Sequence, residues 1–162
     1  GLDISPTAVR RARAAAAAAD VPPERARFAV GDLEDWAGQE QYDLVTASFL
    51  QSPVRLSRAA VLRRAAGRVT PGGHLLVVSH AAPPPWSGEH QHEQQHQNDA
   101  HDDGARHFFS PQDELEALDL EPDAWETVVA EIRLRPATGP DGQEAMLEDA
   151  VALLRRRADD GG

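Results

Sequence analysis

The 162-residue sequence contains neither Cys nor Lys. Without Cys it holds no disulfide, no thiolate nucleophile and no Cys-ligated metal. Without Lys it excludes Schiff-base chemistry, a Walker-type phosphate lysine and a Tyr-x-x-x-Lys dehydrogenase pair. Positive charge is scarce as well: 16 basic residues, all Arg, stand against 27 Asp and Glu, for a net charge of −11. Nucleic-acid backbones and anionic membrane surfaces reward basic patches, so neither is expected as a partner. No apolar run approaches the roughly 20 residues that span a bilayer, and no signal peptide is visible. The expected location is therefore cytoplasmic. The excess of Ala, Arg, Gly and Pro matches a high-GC genome and carries no function.

What is there alternates strand and helix. Gly1-Leu2-Asp3-Ile4-Ser5 reads as the end of a parallel strand entering a helix, although no initiator Met precedes it. Ser5 suits an N-cap and Pro6 a first helical position, which predicts a helix from about Pro6 to Ala19, stopped by Asp20 and Pro22-Pro23. Arg27 to Val30 reads as a short strand ending at Gly31-Asp32, and Leu33 to Trp36 as a short turn or helix. Tyr42 to Ser48 reads as a buried strand. Ser57 opens a helix through Val69, with Leu62, Ala65, Ala66 and Val69 on one face. Thr70-Pro71-Gly72-Gly73 reads as a turn, and His74 to Ser79 as a buried parallel strand. Ser110-Pro111 opens a helix to about Leu118. Trp125 to Leu134 reads as a strand, followed by the turn Thr138-Gly139-Pro140-Asp141-Gly142. Glu144 to Arg156 fits helix or strand periodicity; as the second arm of a hairpin, strand is preferred.

Order and spacing then become specific. Gly1-Leu2-Asp3-Ile4-Ser5, Gly31-Asp32-Leu33, Tyr42-Asp43-Leu44-Val45 and Thr70-Pro71-Gly72-Gly73-His74-Leu75 together resemble a class I S-adenosylmethionine-dependent methyltransferase. The resemblance is to small stand-alone bacterial enzymes with a tellurite-resistance or thiopurine-methyltransferase-like core. It implies an α/β fold with a Rossmann-like, mostly parallel sheet closed by a C-terminal β-hairpin. It also implies that the first strand and most of the second, with a glycine-rich turn, lie before residue 1. The expected organisation is one partial domain over residues 1–157, with a polar His/Gln-rich insert at about 83–106 and a disordered tail at 158–162.

The resemblance assigns roles by position. Asp3, beside Ile4, would bind the two ribose hydroxyls of S-adenosylmethionine, since a carboxylate can accept two charge-assisted bonds from a cis-diol. Asp32 would accept from the adenine amino group, and the Leu33 backbone N–H would reach a ring nitrogen. Phe28 or Trp36 would pack as core or flank the adenine. Ser48 would line the cofactor site, with Phe49 and Gln51 toward the substrate, because open α/β sheets bind ligands at the carboxyl ends of their strands. His80, at the next strand end, is the candidate general base. The implied reaction is methyl transfer to a small-molecule acceptor. Residues 1–162 alone, with no Gly-x-Gly turn, are expected to bind the cofactor poorly or not at all.

His92-Glu93-Gln94-Gln95-His96 matches the zincin H-E-x-x-H signature. That signature needs a packed helix, and here the flanks are polar, with Pro83-Pro84-Pro85 before and Gly104 after. A solvated loop is preferred, and no metal site is assigned. The insert as a whole is expected to act as a mobile lid. The alternatives held open are a nicotinamide-binding Rossmann domain, a non-catalytic binding module and metal binding through the His-rich segment.

Overall fold

The computed structural model describes residues 1–51, 56–87 and 108–158. They build two compact units, Gly1–Gln39 and Glu40–Gly162. The His92–His96 signature, most of the expected lid and most of the expected tail lie outside the described residues.

In the first unit, strand β1 (Leu2–Asp3) leads into helix α1 (Pro6–Ala18) and then strand β2 (Ala29–Val30). The Ser5 hydroxyl caps α1 by accepting from the Ala8 N–H at 3.3 Å, and Pro6 occupies the first turn. The helix stops where Asp20 takes a left-handed φ of 53°, a common way of closing a final turn. β1 and β2 pair in parallel, Leu2 with Ala29 and Asp3 with Val30. Gly31 follows directly, and a Cβ there would lie 2.8 Å from Leu2 Cδ1, so a larger residue would make the Leu2 side chain move. The expected strand at 27–30 is real but shorter: only its last two residues pair.

The second unit carries β3 (Tyr42–Ser48), α2 (Arg58–Ala66), β4 (Val69–His80), α3 (Pro111–Leu118), β5 (Trp125–Thr138) and β6 (Glu144–Arg156). Its sheet runs in the order β3-β4-β6-β5. β3 and β4 are parallel, whereas β4 with β6, and β6 with β5, are antiparallel. The sheet is therefore more mixed than a mostly parallel reading suggests, because the hairpin supplies both antiparallel pairings. Glu144–Arg156 is a strand throughout.

Thr70–Gly73 departs from expectation. Helix α2 ends at Ala66, and Val69 already belongs to β4. The Pro-Gly-Gly sequence forms an irregularity inside the strand, where Tyr42 pairs with Val69 and Leu44 with His74. Between these pairs four residues of β4, Thr70 to Gly73, lie opposite one of β3, Asp43, and the excess loops out through Gly72 at a φ of 80°. Gly73 sits under the loop, where a Cβ would come within 2.8 Å of the Asp43 carbonyl oxygen.

The core lies on one face of this sheet. Leu75, Val77, Ala152 and Leu154 pack with Leu62 and Ala66 of α2 and Leu118 of α3. Because strand side chains alternate, Leu76, Val78 and His80 point to the opposite face. α3 is set by a capping box: Ser110 Oγ accepts from the Asp113 N–H at 3.1 Å, and Asp113 accepts from the Ser110 N–H at 2.7 Å.

Candidate functional site

Two groups of polar residues stand at strand ends, one in each unit. In the first unit, Asp3 closes β1 and Asp32 follows β2 by two residues. Each carboxylate uses one oxygen to accept a backbone N–H two residues on: Asp3 from Ser5 at 2.7 Å and Asp32 from Glu34 at 2.9 Å. These are Asx turns, and they fix both side chains at the carboxyl ends of adjacent parallel strands. The second oxygen of each makes no hydrogen bond to a described residue. The Gly31 N–H donates to the Asp3 carbonyl at 3.1 Å, which ties the two strand ends together. Ile4 is 54% exposed beside them, and Leu33 follows Asp32.

In the second unit, Ser48, Phe49, Gln51 and His80 gather at the ends of β3 and β4. Ser48 registers with Val78 and so lies on the His80 face. The Phe49 N–H donates to the Val78 carbonyl at 2.8 Å. Phe49 takes a left-handed φ of 56°, a conformation that costs a non-glycine residue on the order of 1 kcal/mol or more and that clusters at functional sites. Its ring stacks on the His80 imidazole, with centroids 4.4 Å apart and an interplanar angle of 29°. Gln51 clamps the His80 backbone from both sides: its Nε2 donates to the His80 carbonyl and its Oε1 accepts from the His80 N–H, each at 2.8 Å.

Two residues that the sequence did not mark complete this group. Asp149, on β6, registers opposite His80 and is nearly buried. Its Oδ1 lies 3.3 Å from His80 Nδ1, and its Oδ2 accepts from Arg135 Nε on β5 at 2.7 Å. The Arg135 guanidinium lies 5.6 Å from the Phe49 ring centre. The Asp149 hydrogen bond, helped by its charge, raises the Arg135 pKa above its ordinary value against a smaller opposing effect of burial. Arg135 therefore stays a cation at any working pH. His80 Nε2 and Arg135 Nη1 make no hydrogen bond to a described residue.

On the inner face of the same strand end, Ser79 and Glu114 are fully buried. Glu114 Oε1 accepts from Arg58 Nη2 at 2.7 Å and from the Ser79 hydroxyl. The Arg58 guanidinium stacks 4.4 Å from the centre of the Phe109 ring. This trio anchors α2 and α3 to β4 and is closed to solvent. Among the described residues, no group of three or more acidic, His or Cys side chains is placed to hold a metal.

The fold is that of the class I methyltransferases. Residues 1–73 match the sequence pattern of the methyltransferase-domain family. Among solved structures, one from a study of the conversion of a disulfide bond into a thioacetal group during echinomycin biosynthesis is 22% identical, with a TM-score of 0.66 over 99% of this chain and 67% of that one. TehB from Haemophilus influenzae is 14% identical, with a TM-score of 0.64 over 96% of this chain and 49% of TehB. A S-adenosylmethionine-dependent methyltransferase from Methanosarcina mazei is 17% identical, with a TM-score of 0.58 over 98% and 82%. The chain spans from 42% to 67% of the first four such structures. TehB is one of several comparable matches, and nothing singles out its subtype. No curated protein sequence matches. Among the described residues, no helix is long and apolar enough to cross a membrane.

Proposed function

We propose that this chain serves S-adenosylmethionine-dependent methyl transfer to a small-molecule acceptor in the cytoplasm. One observation carries the reading: Asp3 at the end of β1 and Asp32 just past the end of the adjacent parallel β2 each have one carboxylate oxygen locked in an Asx turn and the other without a hydrogen bond to a described residue. Such a pair fits adenosine, with Asp3 toward the ribose hydroxyls and Asp32 toward the adenine amino group. The donor set fits only this half of the cofactor. No Gly-x-Gly turn for the methionine half occurs in the sequence. When bound, the cofactor supplies an electrophilic methyl group, so the chain's own task is to orient, desolvate and, where needed, deprotonate. The net charge of −11 favours a small acceptor over a nucleic-acid one.

Adenosine itself is the test, because it needs only the half that fits. Titration followed by amide NMR is expected to give saturable shifts at Ile4, Asp32 and Leu33. Asp3→Ala and Asp32→Ala should each weaken binding by about tenfold, the value of one charge-assisted bond of roughly 1.5 kcal/mol. Absence of any saturable shift within residues 1–39 sinks the reading.

A further inference from the structure

The group at the end of β4, built with Asp149 from within β6 and Arg135 from within β5, is more fully built than a structural ion pair needs. Asp149 is the hub: its Oδ2 accepts from Arg135 Nε on one neighbouring strand and its Oδ1 lies 3.3 Å from His80 Nδ1 on the other. That arrangement turns His80 Nε2 and Arg135 Nη1 away from Asp149, and neither bonds to a described residue. The His80 side chain keeps 35% of its exposure and that of Arg135 keeps 44%, whereas Asp149 keeps 7%. Phe49 supplies a planar apolar surface against the imidazole and is itself 40% exposed. The Gln51 clamp and the strained Phe49 backbone hold the imidazole in place. A base nitrogen, a fixed cation and a flat wall thus face solvent together, all within one unit. Arg133, which registers opposite Asp149, pairs with Glu131 at 2.6 Å.

We propose that this group binds and deprotonates an acidic hydroxyl on a planar ring, a phenol or its equivalent, with His80 as general base, Asp149 as its positioning residue and Arg135 as the partner of the resulting oxyanion. The inference rests on the methyl-transfer reading and names its acceptor class. In the step, the acceptor O–H bond breaks, its electron pair stays on oxygen, and the proton forms an N–H bond at His80 Nε2. Asp149, facing Nδ1–H, balances the imidazolium, and Arg135 Nη1 pairs with the phenolate. A general base is effective when donor and acceptor basicities lie close. An imidazole therefore suits a phenol, does little for an aliphatic alcohol, and is superfluous for a carboxylate or an inorganic anion. The Phe49–His80 stack favours a ring over a chain.

Para-nitrophenol is a suitable probe, because its phenolate absorbs visible light and its phenol does not. Added to the full chain below the pH at which the free compound ionises, it should bind as the phenolate and shift the amides of Phe49, His80 and Arg135. His80→Gln and Arg135→Gln should each lower the bound phenolate signal about tenfold, since each removes one charged partner, measured where circular dichroism shows both variants folded. Asp149→Asn should release His80 from the Nδ1–H tautomer, which long-range nitrogen–proton correlation reads directly; a merely structural Asp149 would leave the tautomer as it was. Binding as the neutral phenol, shifts confined to residues 1–39, equal phenolate signal in the variants, or no binding each overturn the proposal. These failures are separate from that of the methyl-transfer reading, which the adenosine titration judges alone.

Discussion

Replacing Arg58 with Met tests what holds the end of β4. Glu114 is fully buried, its Oε1 is held by Arg58 and Ser79, and its Oε2 has no described partner. Removing one member of a buried ion pair typically costs about 3–5 kcal/mol, because the remaining charge is left uncompensated. Ser79 still donates in the variant, and a hydrogen bond to a charged group retains about 1.5–3 kcal/mol. The expected cost therefore sits near the lower bound, about 3 kcal/mol. With a urea slope of about 1.5 kcal/mol per molar, the unfolding midpoint should fall by about 2 M. The double variant Arg58→Met with Glu114→Met removes both charges and orphans only the Ser79 hydroxyl, so it should recover most of that loss. Urea denaturation of wild type, both single variants and the double variant, followed by circular dichroism, closes the cycle. A shift of less than about 0.5 M for Arg58→Met, or a double variant whose loss equals the sum of the singles, would refute the account, since coupled neighbours are non-additive.

Two further perturbations reach other parts of the second unit. Tyr42 is the sole tyrosine, and its hydroxyl donates to Glu40 Oε2 at 2.7 Å. That bond, with lesser help from burial and from the Glu40 charge, raises its pKa above 10. The protonated phenol is thus the form the fold favours: its stabilisation is present below the ordinary tyrosine range and is lost as pH rises through the raised value. Glu40→Gln should bring the ionisation midpoint down in an ultraviolet absorbance titration, and an unmoved midpoint would show that Glu40 is not the cause. Gly73→Ala places a Cβ 2.8 Å from the Asp43 carbonyl oxygen; overpacking of this kind costs about 1–3 kcal/mol, so a thermal midpoint equal to wild type would mean that the irregularity in β4 is soft.

The sequence made elements legible where local chemistry decides them. Ser110-Pro111 with Asp113 specifies a capping box, and α3 begins there. Tyr42 to Ser48 forms β3 over the expected bounds, although as a strand at the edge of its sheet it is largely exposed rather than buried. The Thr138–Gly142 turn implied a hairpin, and the β5–β6 pairing follows. Thr70–Gly73 misled because Pro-Gly-Gly signals a turn locally, whereas backbone pairing of Val69 with Tyr42 draws those residues into a strand. Asp149 and Arg135 were invisible for a different reason. Counting outward from the turn pairs Thr138 with Glu144, and hence Arg133 with Asp149, so the hairpin register was available in principle. The pairing of β6 with β4, which sets Asp149 opposite His80, depends on tertiary assembly and has no sequence signal.

That last pairing also explains why two polar groups meet at one strand end. Ser79 and His80 are adjacent, so the alternation of a strand sends them to opposite faces. The same alternation in β6 sends Ala150 inward beside Ser79 and Asp149 outward beside His80. Apolar packing is non-directional, and it holds Leu75 and Val77 without fixing the strand's final residues. Hydrogen bonds are directional. Glu114 and Arg58 fix Ser79 from within and Gln51 fixes the His80 backbone by such bonds, while Asp149 Oδ1 stands 3.3 Å from the imidazole Nδ1. The inner trio is thereby coupled to the outer one through a single peptide unit. Ser79→Ala should accordingly cost about 1–3 kcal/mol through the orphaned Glu114 bond and also weaken para-nitrophenolate binding, although residue 79 never faces the probe. A Ser79→Ala protein that loses stability while binding the phenolate like wild type would show that the two faces are independent.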